Sequence, residues 1–168
     1  MEYARQFGLD ARIVRLFNTY GPRMDPADGR VVPAFLAQAL RGEALEVYGD
    51  GGQTRSFCYV ADIVRGLTAA MDTPATAGEV FNLGNPDERT ILAFARTILA
   101  ATGRELPIVF RPGRQDDPTR RCPDIAKATA RLGWRPEVAL DDGLPPTIAH
   151  FRRELGLEEP MLAPVRAD

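Results

Sequence analysis

One strongly apolar strand segment limits what this chain can fold into. The run ARIVRLF, from Ala11 to Phe17, is apolar and β-branched enough to lie inside a parallel sheet. The later strand segments are short and are interrupted by turns that contain Gly and Pro. Because an interior strand needs a neighbour on each side, this segment predicts that part of its sheet is not supplied by this chain.

Helical segments alternate with the strands. After an opening helix that ends at Gly8, apolar side chains recur at helical spacing in segments starting near residues 31, 60, 91, 124 and 140. Pro145 and Pro146 should delay or kink the start of the last helix. Short strands are predicted at 45–48, 54–59, 80–83 and 108–110. The alternation predicts an α/β protein in which a small lobe lies beside a larger sheet.

Composition excludes several classes of function. The net charge of −2 gives no general attraction to nucleic acid or to anionic membranes. No apolar run approaches the roughly 20 residues that span a bilayer, and no secretory signal is recognisable. The two cysteines are far apart and lack partners at metal-ligand spacing, which predicts a reduced, cytoplasmic protein without a metal site.

Basic charge is concentrated in one segment. Residues 111–131 contain five Arg and one Lys against three Asp, and Lys127 is the single lysine among 21 basic residues of the chain. Guanidinium groups suit bidentate contacts with phosphate. An anion site built by this chain would therefore depend on arginines.

The residues of a nucleotide-sugar oxidoreductase are only partly present. Such enzymes use a glycine-rich pyrophosphate loop between a strand and a helix, and the glycines here form no such loop. They also use a Tyr with a Lys four residues later, whose ammonium lowers the pKa of the phenol. The four tyrosines are followed at that spacing by Phe7, Met24, Gly52 and Ile63. We therefore expect this chain to be inactive alone.

Four segments, in order, resemble the extended short-chain dehydrogenase/reductase (NAD-dependent epimerase/dehydratase) family, and within it the UDP-glucuronate decarboxylases. They are RLFNTYGPRM (15–24) with DGRVVPAF (28–35), VYGDGGQTRSFCYVAD (47–62), FNLGNPDERTI (81–91) and GRQDDPTRRCPDIAKATARLGWRP (113–136). The resemblance runs from residue 1 to about 155 and implies the carboxyl-terminal half of such an enzyme.

The resemblance implies a fold and a reaction. Residues 1–30 would end an NAD-binding Rossmann-type parallel sheet, 31–157 would form the small mixed α/β substrate-binding lobe with returning elements, and 158–168 would be a flexible tail. The complete enzyme would be a homodimer that uses NAD to oxidise UDP-glucuronate at C4. The β-keto acid would lose carbon dioxide, and the return of hydride would give UDP-xylose.

The resemblance also implies roles for individual residues. A UDP-sugar would contact residues in three of the segments: Asn18, Arg30, Val31, Tyr48, Arg55, Arg114 and Asp117. Arg55 would also assist catalysis near the sugar carboxylate, while the catalytic Tyr and Lys would lie upstream. Arg114 would bind the diphosphate and Asp117 the ribose hydroxyls.

Thr19, Tyr20 and Arg23 match the stretch that lies against the nicotinamide. Tyr20 is equally compatible with a core position. Arg120 and Arg121 are predicted to be surface charges.

Two other interpretations stay open at this point. A sister 4-epimerase or 4,6-dehydratase acting on UDP- or dTDP-sugars shares most of these features. A non-catalytic UDP-binding module would need no upstream half at all.

Overall fold

The computed structural model describes residues 2–113, 115 and 117–157, without the side chains of residues 4 and 5. Its helices are α1 (Glu2–Phe7), α2 (Val31–Arg41), α3 (Val60–Asp72), α4 (Ile91–Thr102), α5 (Ala126–Leu132) and α6 (Leu140–Glu154). Its strands are β1 (Ile13–Leu16), β2 (Thr19–Tyr20), β3 (Leu45–Tyr48), β4 (Thr54–Ser56), β5 (Cys58–Tyr59), β6 (Val80–Leu83), β7 (Glu88–Thr90), β8 (Ile108–Arg111) and β9 (Arg120–Arg121).

Strand pairing in the described residues is mostly parallel. β1 pairs with β6, β2 with β5, and β3 with β8, each in parallel. β4 is the centre of a three-stranded sheet, antiparallel to β7 and parallel to β9. Helices separate the partners of each parallel pair along the chain, as parallel connections require. The predicted α/β class is confirmed, while β2, β7 and β9 are too short for the sequence pattern to have indicated them.

One edge of β1 has no partner strand within the described residues, because β6 is its only neighbour there. Ile13 and Leu16 are 44% and 49% exposed. Tyr3, Phe7 and Leu9, on and just after α1, are also exposed. The strand that the sequence marks as interior therefore lies at an edge, next to an apolar surface of the kind that a partner usually covers.

The last helix begins where its apolar spacing predicts, without a delay from its two prolines. α6 starts at Leu140, ahead of both Pro145 and Pro146, so the predicted delay is wrong. Each proline lacks an N–H group and so removes one helical hydrogen bond. Leu140, Leu144 and other apolar residues of one helix face are buried, and this packing offsets the missing bonds. No helix in the described part of the chain is long and apolar enough to cross a membrane.

Two apolar clusters form the core. The larger one joins α2, α4 and α6 to β3, and the rings of Phe57 and Phe94 stack within it at a centroid distance of 4.2 Å. The smaller one packs α3 and α5 against β6 around Phe81 and Trp134. Phe57, which directly follows β4, belongs to the larger cluster and so anchors the strand that carries Arg55. The predicted division at residue 30 stays a prediction, and the predicted tail from 158 lies outside the described residues.

A buried carboxylate fixes the segment that follows α5. Asp62, in the first turn of α3, is 1% exposed and accepts hydrogen bonds from the backbone N–H groups of Glu137 and Val138, each at 3.0 Å. Arg65 pairs with its other oxygen at 2.5 Å. The indole N–H of Trp134 donates to the carbonyl of Asp62 at 2.8 Å. A carboxylate near a helix N-terminus is further favoured by the helix dipole.

Candidate functional site

A cavity of about 270 Å³ lies where β2, α2, β3 and β4 meet. Its floor is apolar and belongs to the larger core cluster, with Phe35, Phe57 and Ile91. A second cavity of about 400 Å³ shares Tyr48 and Asp117 with it. Together they form a groove of the size and mixed polarity typical of small-molecule sites.

Most of the predicted substrate-binding residues meet in this cavity. The predicted residues that line it are Asn18, Arg30, Val31, Tyr48, Arg55 and Asp117. They come from sequence positions up to about a hundred residues apart, so the chain fold alone brings them together. Arg114 was predicted with them and lies outside the described residues.

Arg55 is the most constrained charged group of the cavity. It is 8% exposed and lies on the central strand β4. Its Nη1 donates to the carbonyl of Thr54 at 2.7 Å, and its Nη2 pairs with Oδ1 of Asp117 at 2.6 Å. A guanidinium has five N–H donors, and partners among the described residues take two of them. A fixed, nearly buried guanidinium is suited to bidentate binding of phosphate or carboxylate.

The N-terminus of α2 adds further positive potential. No acidic residue occupies its first turn, and its N-cap residue Arg30 makes no side-chain cap. The N–H groups of Val31 and Val32, both at the cavity, have no acceptor within the helix. Free N–H groups and the helix dipole together favour an anion at this end. The guanidinium of Arg30, which also lines the cavity, is already paired with Asp28, with its Nε 2.6 Å from Oδ1.

Asn18 and Thr19, which follow strand β1, lie at the open end of the cavity. Asn18 lines it, and its carbonyl accepts from the N–H of Cys58 at 2.9 Å. Thr19 also lines it, and its hydroxyl donates to the carbonyl of Phe17 at 2.9 Å. Both follow the carboxyl end of β1, where open α/β sheets bind their ligands.

The three predicted cofactor residues occupy different environments. Thr19 lies at the cavity, whereas Arg23 is exposed in a turn with φ of 69° and does not line it. Tyr20 lies instead in the core, 2% exposed, with its ring on Tyr59 and its hydroxyl donating to the carbonyl of Leu140. Burial raises the pKa of its phenol. The ring of Tyr20 leaves no exposed face for a cofactor in this structure. Its position is that of a core residue, the second of the two interpretations given for Tyr20 above.

Arg121 is a cavity residue that the sequence analysis missed. In the register of the three-stranded sheet, Arg55 lies opposite Arg89 of β7 and opposite Arg121 of β9. Directly opposed residues share a face of the sheet. Arg121 lines the cavity and has no hydrogen bond or ion pair within the part of the chain that is described. Successive side chains of a strand lie on opposite faces of the sheet, so Arg120 and Arg121 of β9 lie on opposite faces. This alternation can be recognised only once β9 is known to pair with β4.

Arg120 is held on the opposite face. Its guanidinium forms a bidentate pair with Glu88, and the hydroxyl of Thr54 donates to the same carboxylate. These hydrogen bonds, first from Arg120 and then from Thr54, hold the pKa of Glu88 below its ordinary value of 4.5. The network connects all three strands of the sheet and so keeps Arg121 in register with Arg55.

We expect this network to make stability depend on pH. A carboxyl whose pKa is lowered on folding stabilises the protein above its unfolded pKa, and this contribution is lost as the pH falls through the folded pKa. Glu88→Gln should therefore lower the midpoint of urea unfolding at pH 7, and the difference from the unsubstituted chain should shrink below about pH 4.5. An equal difference at pH 7 and pH 3 would contradict it.

Sequence comparison supplies the family of this site. The profile of the NAD dependent epimerase/dehydratase family matches residues 1–84, half of the chain. The chain belongs to this family. The matched range contains the first two of the four segments that carried the resemblance, 15–35 and 47–62.

Curated members of the family extend the match to most of the chain. UDP-glucuronic acid decarboxylase 1 of Danio rerio is 52% identical over 153 residues, which are 91% of this chain and 36% of that protein. UDP-glucuronic acid decarboxylase 6 of Arabidopsis thaliana is 49% identical over 156 residues, 93% of this chain and 45% of that protein. The chain thus spans less than half the length of these family members.

Solved structures of the family have the same fold. The UDP-glucose 4-epimerase of Thermotoga maritima, solved with UDP-glucose, gives a TM-score of 0.86 at 37% identity and covers 92% of this chain and 50% of that one. The UDP-glucuronic acid 4-epimerase of Bacillus cereus, solved with UDP-glucuronic acid and NAD, gives 0.83 at 31% identity and covers 91% and 48%. The predicted Rossmann-like epimerase/dehydratase fold is confirmed.

Proposed function

We propose that this chain is the nucleotide-sugar-binding part of an NAD-dependent UDP-glucuronate decarboxylase, and that it binds UDP but is inactive by itself. The observation that carries the proposal is the cavity in which the nearly buried Arg55 and the free N–H groups at the start of α2 face the same space. The similarity to decarboxylases at about 50% identity supports this reaction over that of the sister enzymes.

The charge of the cavity fits a diphosphate. Arg55 and Arg121 contribute two guanidinium groups, and the helix N-terminus contributes oriented N–H groups. Asp117 and Glu46 are the carboxylates that line the cavity in the described residues, and Glu46 is already paired with Arg111 at 2.6 Å. Among the described residues that line the cavity, three arginines thus face two carboxylates, and the charged group left without a partner there is Arg121, a cation as an anionic ligand requires.

The part of the chain described here would bind and orient the sugar. NAD, when bound by the complete enzyme, supplies the hydride acceptor for oxidation of the sugar. Thr19, just after the carboxyl end of β1, would face the NAD. The family's glycine-rich loop is not found in this sequence. Holding the diphosphate fixes the distant sugar ring, and that positioning lowers the barrier of the reaction. Arg55 would also stabilise negative charge on the carboxylate of the sugar.

The catalytic Tyr and Lys are proposed to lie on sequence outside this chain. Support comes from the unpaired edge of β1 and the exposed apolar side chains of α1, which a further part of the sheet would cover. We further propose, on the sequence arguments given above, a cytoplasmic homodimer when complete, without nucleic acid or membrane as partners. Product analysis after co-expression with that further part tests the reaction, and retention of carbon dioxide would favour a 4-epimerase or dehydratase.

Binding of UDP to the 168-residue chain tests the site directly. Calorimetric titration should give binding without turnover, and Arg121→Ala should weaken it about tenfold, the effect of losing one charge-assisted contact of about 1.5 kcal/mol. Arg89→Ala is the matched control, since it removes the same charge from the residue opposite Arg55 on β7, which does not line the cavity. Equal losses in both variants would mean that only overall charge matters, and no loss in either would remove Arg121 from the site.

A further inference from the structure

The single histidine of the sequence lies on α6, beside the loop that leads from β2 to α2 (residues 21–30). The side chain of His150 is 11% exposed, and its Nε2 lies 3.3 Å from the carbonyl oxygen of Met24. A carbonyl oxygen can only accept a hydrogen bond, so Nε2 is the ring nitrogen that carries a proton and donates it. The other ring nitrogen, Nδ1, is 3.9 Å from Oε1 of Glu154, beyond hydrogen-bond distance.

This hydrogen bond holds a loop that has few other contacts with distant segments. Past the buried Gly21 the loop is largely exposed, but Met24 is partly buried and packs on the larger core cluster. Within the described residues, the other hydrogen bonds of the loop are local. Arg23, directly before Met24, has a φ of 69°, which a residue with a side chain adopts only when its surroundings hold it there. His150 supplies such a constraint at the next residue.

α6 also holds the residue that precedes the loop. The hydroxyl of Tyr20 donates to the carbonyl of Leu140 in the first turn of α6. One turn later, a Cβ at position 143 would overlap the hydroxyl of Tyr20, so only Gly143 allows the helix to approach this closely. The helix therefore contacts the chain at Tyr20 and again at Met24.

The segment held in this way forms one wall of the cavity. Asn18, Thr19 and Met24 line the first cavity, whereas His150 lines neither of the two cavities. The loop after Met24 leads into the N-terminus of α2, whose free N–H groups face the same space. The position of this wall therefore depends on a contact made outside the cavity.

We infer that His150 is a positioning residue that fixes the wall of the cavity through the carbonyl of Met24. It orders the loop before a ligand arrives, so binding does not have to supply the free energy of ordering it. The inference rests on the proposed function for the identity of the ligand. The contact between His150 and Met24 itself is independent of that function.

Two substitutions separate the donated hydrogen bond from the bulk of the side chain. His150→Leu removes the donor and keeps an apolar side chain, whereas His150→Gln places an amide N–H near the position of Nε2. His150→Asn is too short to reach Met24 and should behave like His150→Leu. Glu154→Gln is the matched control, because it changes the other polar neighbour of the ring on the same helix.

Trypsin reports on the loop without any ligand, because Arg23 is exposed within it. The measurement is the initial rate of cleavage after Arg23, relative to cleavage after the exposed and distant Arg104, followed by mass spectrometry. We expect this ratio to rise about fivefold in His150→Leu, since cleavage follows the population of the opened loop. It should stay within twofold in His150→Gln and Glu154→Gln.

Calorimetric titration with UDP then measures the consequence for the site. His150→Leu and His150→Asn should bind UDP about threefold to tenfold more weakly, and His150→Gln and Glu154→Gln should bind it like the unsubstituted chain. Recovery by glutamine is the result that a general loss of stability would not produce.

The outcomes keep this inference apart from the proposed function. An unchanged cleavage ratio in His150→Leu and His150→Asn overturns the inference, whatever UDP does. Faster cleavage with unchanged UDP affinity also overturns it and leaves UDP binding standing, as does an equal loss of affinity in the leucine and glutamine variants. If the unsubstituted chain does not bind UDP, the proposed function fails, while faster cleavage that glutamine restores still supports His150 as the residue that fixes this wall.

Discussion

Replacing Arg55 with alanine should weaken the binding of UDP to this chain at least about 100-fold, which corresponds to about 3 kcal/mol. The reason is that Arg55 is 8% exposed and that partners among the described residues, Thr54 and Asp117, take two of its five donors. Charge-assisted bonds in a partly desolvated site are stronger than those at a surface. Titration calorimetry with UDP measures the loss.

Two variants define what the Arg55 result means. Arg89→Ala removes the guanidinium of the residue opposite Arg55 on β7, which pairs with Asp87 away from the cavity. This substitution should change UDP affinity less than about threefold. Arg55→Lys keeps the charge without the planar fork and should fall between the two. If Arg55→Ala binds UDP like the unsubstituted chain while a urea melt shows that it is folded, Arg55 is not part of a diphosphate site.

Asp62→Ala should lower the free energy of unfolding by about 3 kcal/mol. The substitution removes the acceptor for the N–H groups of Glu137 and Val138 and leaves Arg65 without its closest partner. These part-buried N–H groups then lose their acceptor. Urea unfolding followed by circular dichroism measures the change.

The controls for Asp62 lie on the same helix. Asp72→Ala removes an exposed carboxylate at the other end of α3 and should change stability by less than about 0.5 kcal/mol. Arg65→Ala removes a guanidinium that is 44% exposed and should cost about 1 kcal/mol or less. A loss for Asp62→Ala no larger than that for Arg65→Ala would show that the backbone hydrogen bonds contribute little.

Local sequence patterns were sufficient to predict the helices, the longer strands and several of the residues that line the cavity. Apolar periodicity and terminal glycines indicated α2 and α4, whose C-caps Gly42 and Gly103 both have positive φ. The motifs that resemble the family placed Asn18, Tyr48 and Arg55 in one site, and the structure brings these three to one cavity. Such features are set by a few consecutive residues, so a linear sequence shows them.

Pairing between distant segments was decided only in three dimensions. The two residues of β9 are too few to show a periodicity, so nothing local separates Arg120 from Arg121. Their parallel register with β4 places one with Glu88 and the other beside Arg55. In the same way, packing against α6 buries Tyr20, although its motif is compatible with a cofactor contact.

The sequence by itself therefore determined the family and the α/β class, and it indicated Arg55, the arginine that we propose binds the anion. Only the tertiary structure decided which charges compensate one another, that is, Asp117 with Arg55 and Glu88 with Arg120. The physical reason is that an ion pair depends on distances of a few ångströms between side chains from remote segments. Those distances follow from strand register and core packing, which no short segment of sequence specifies.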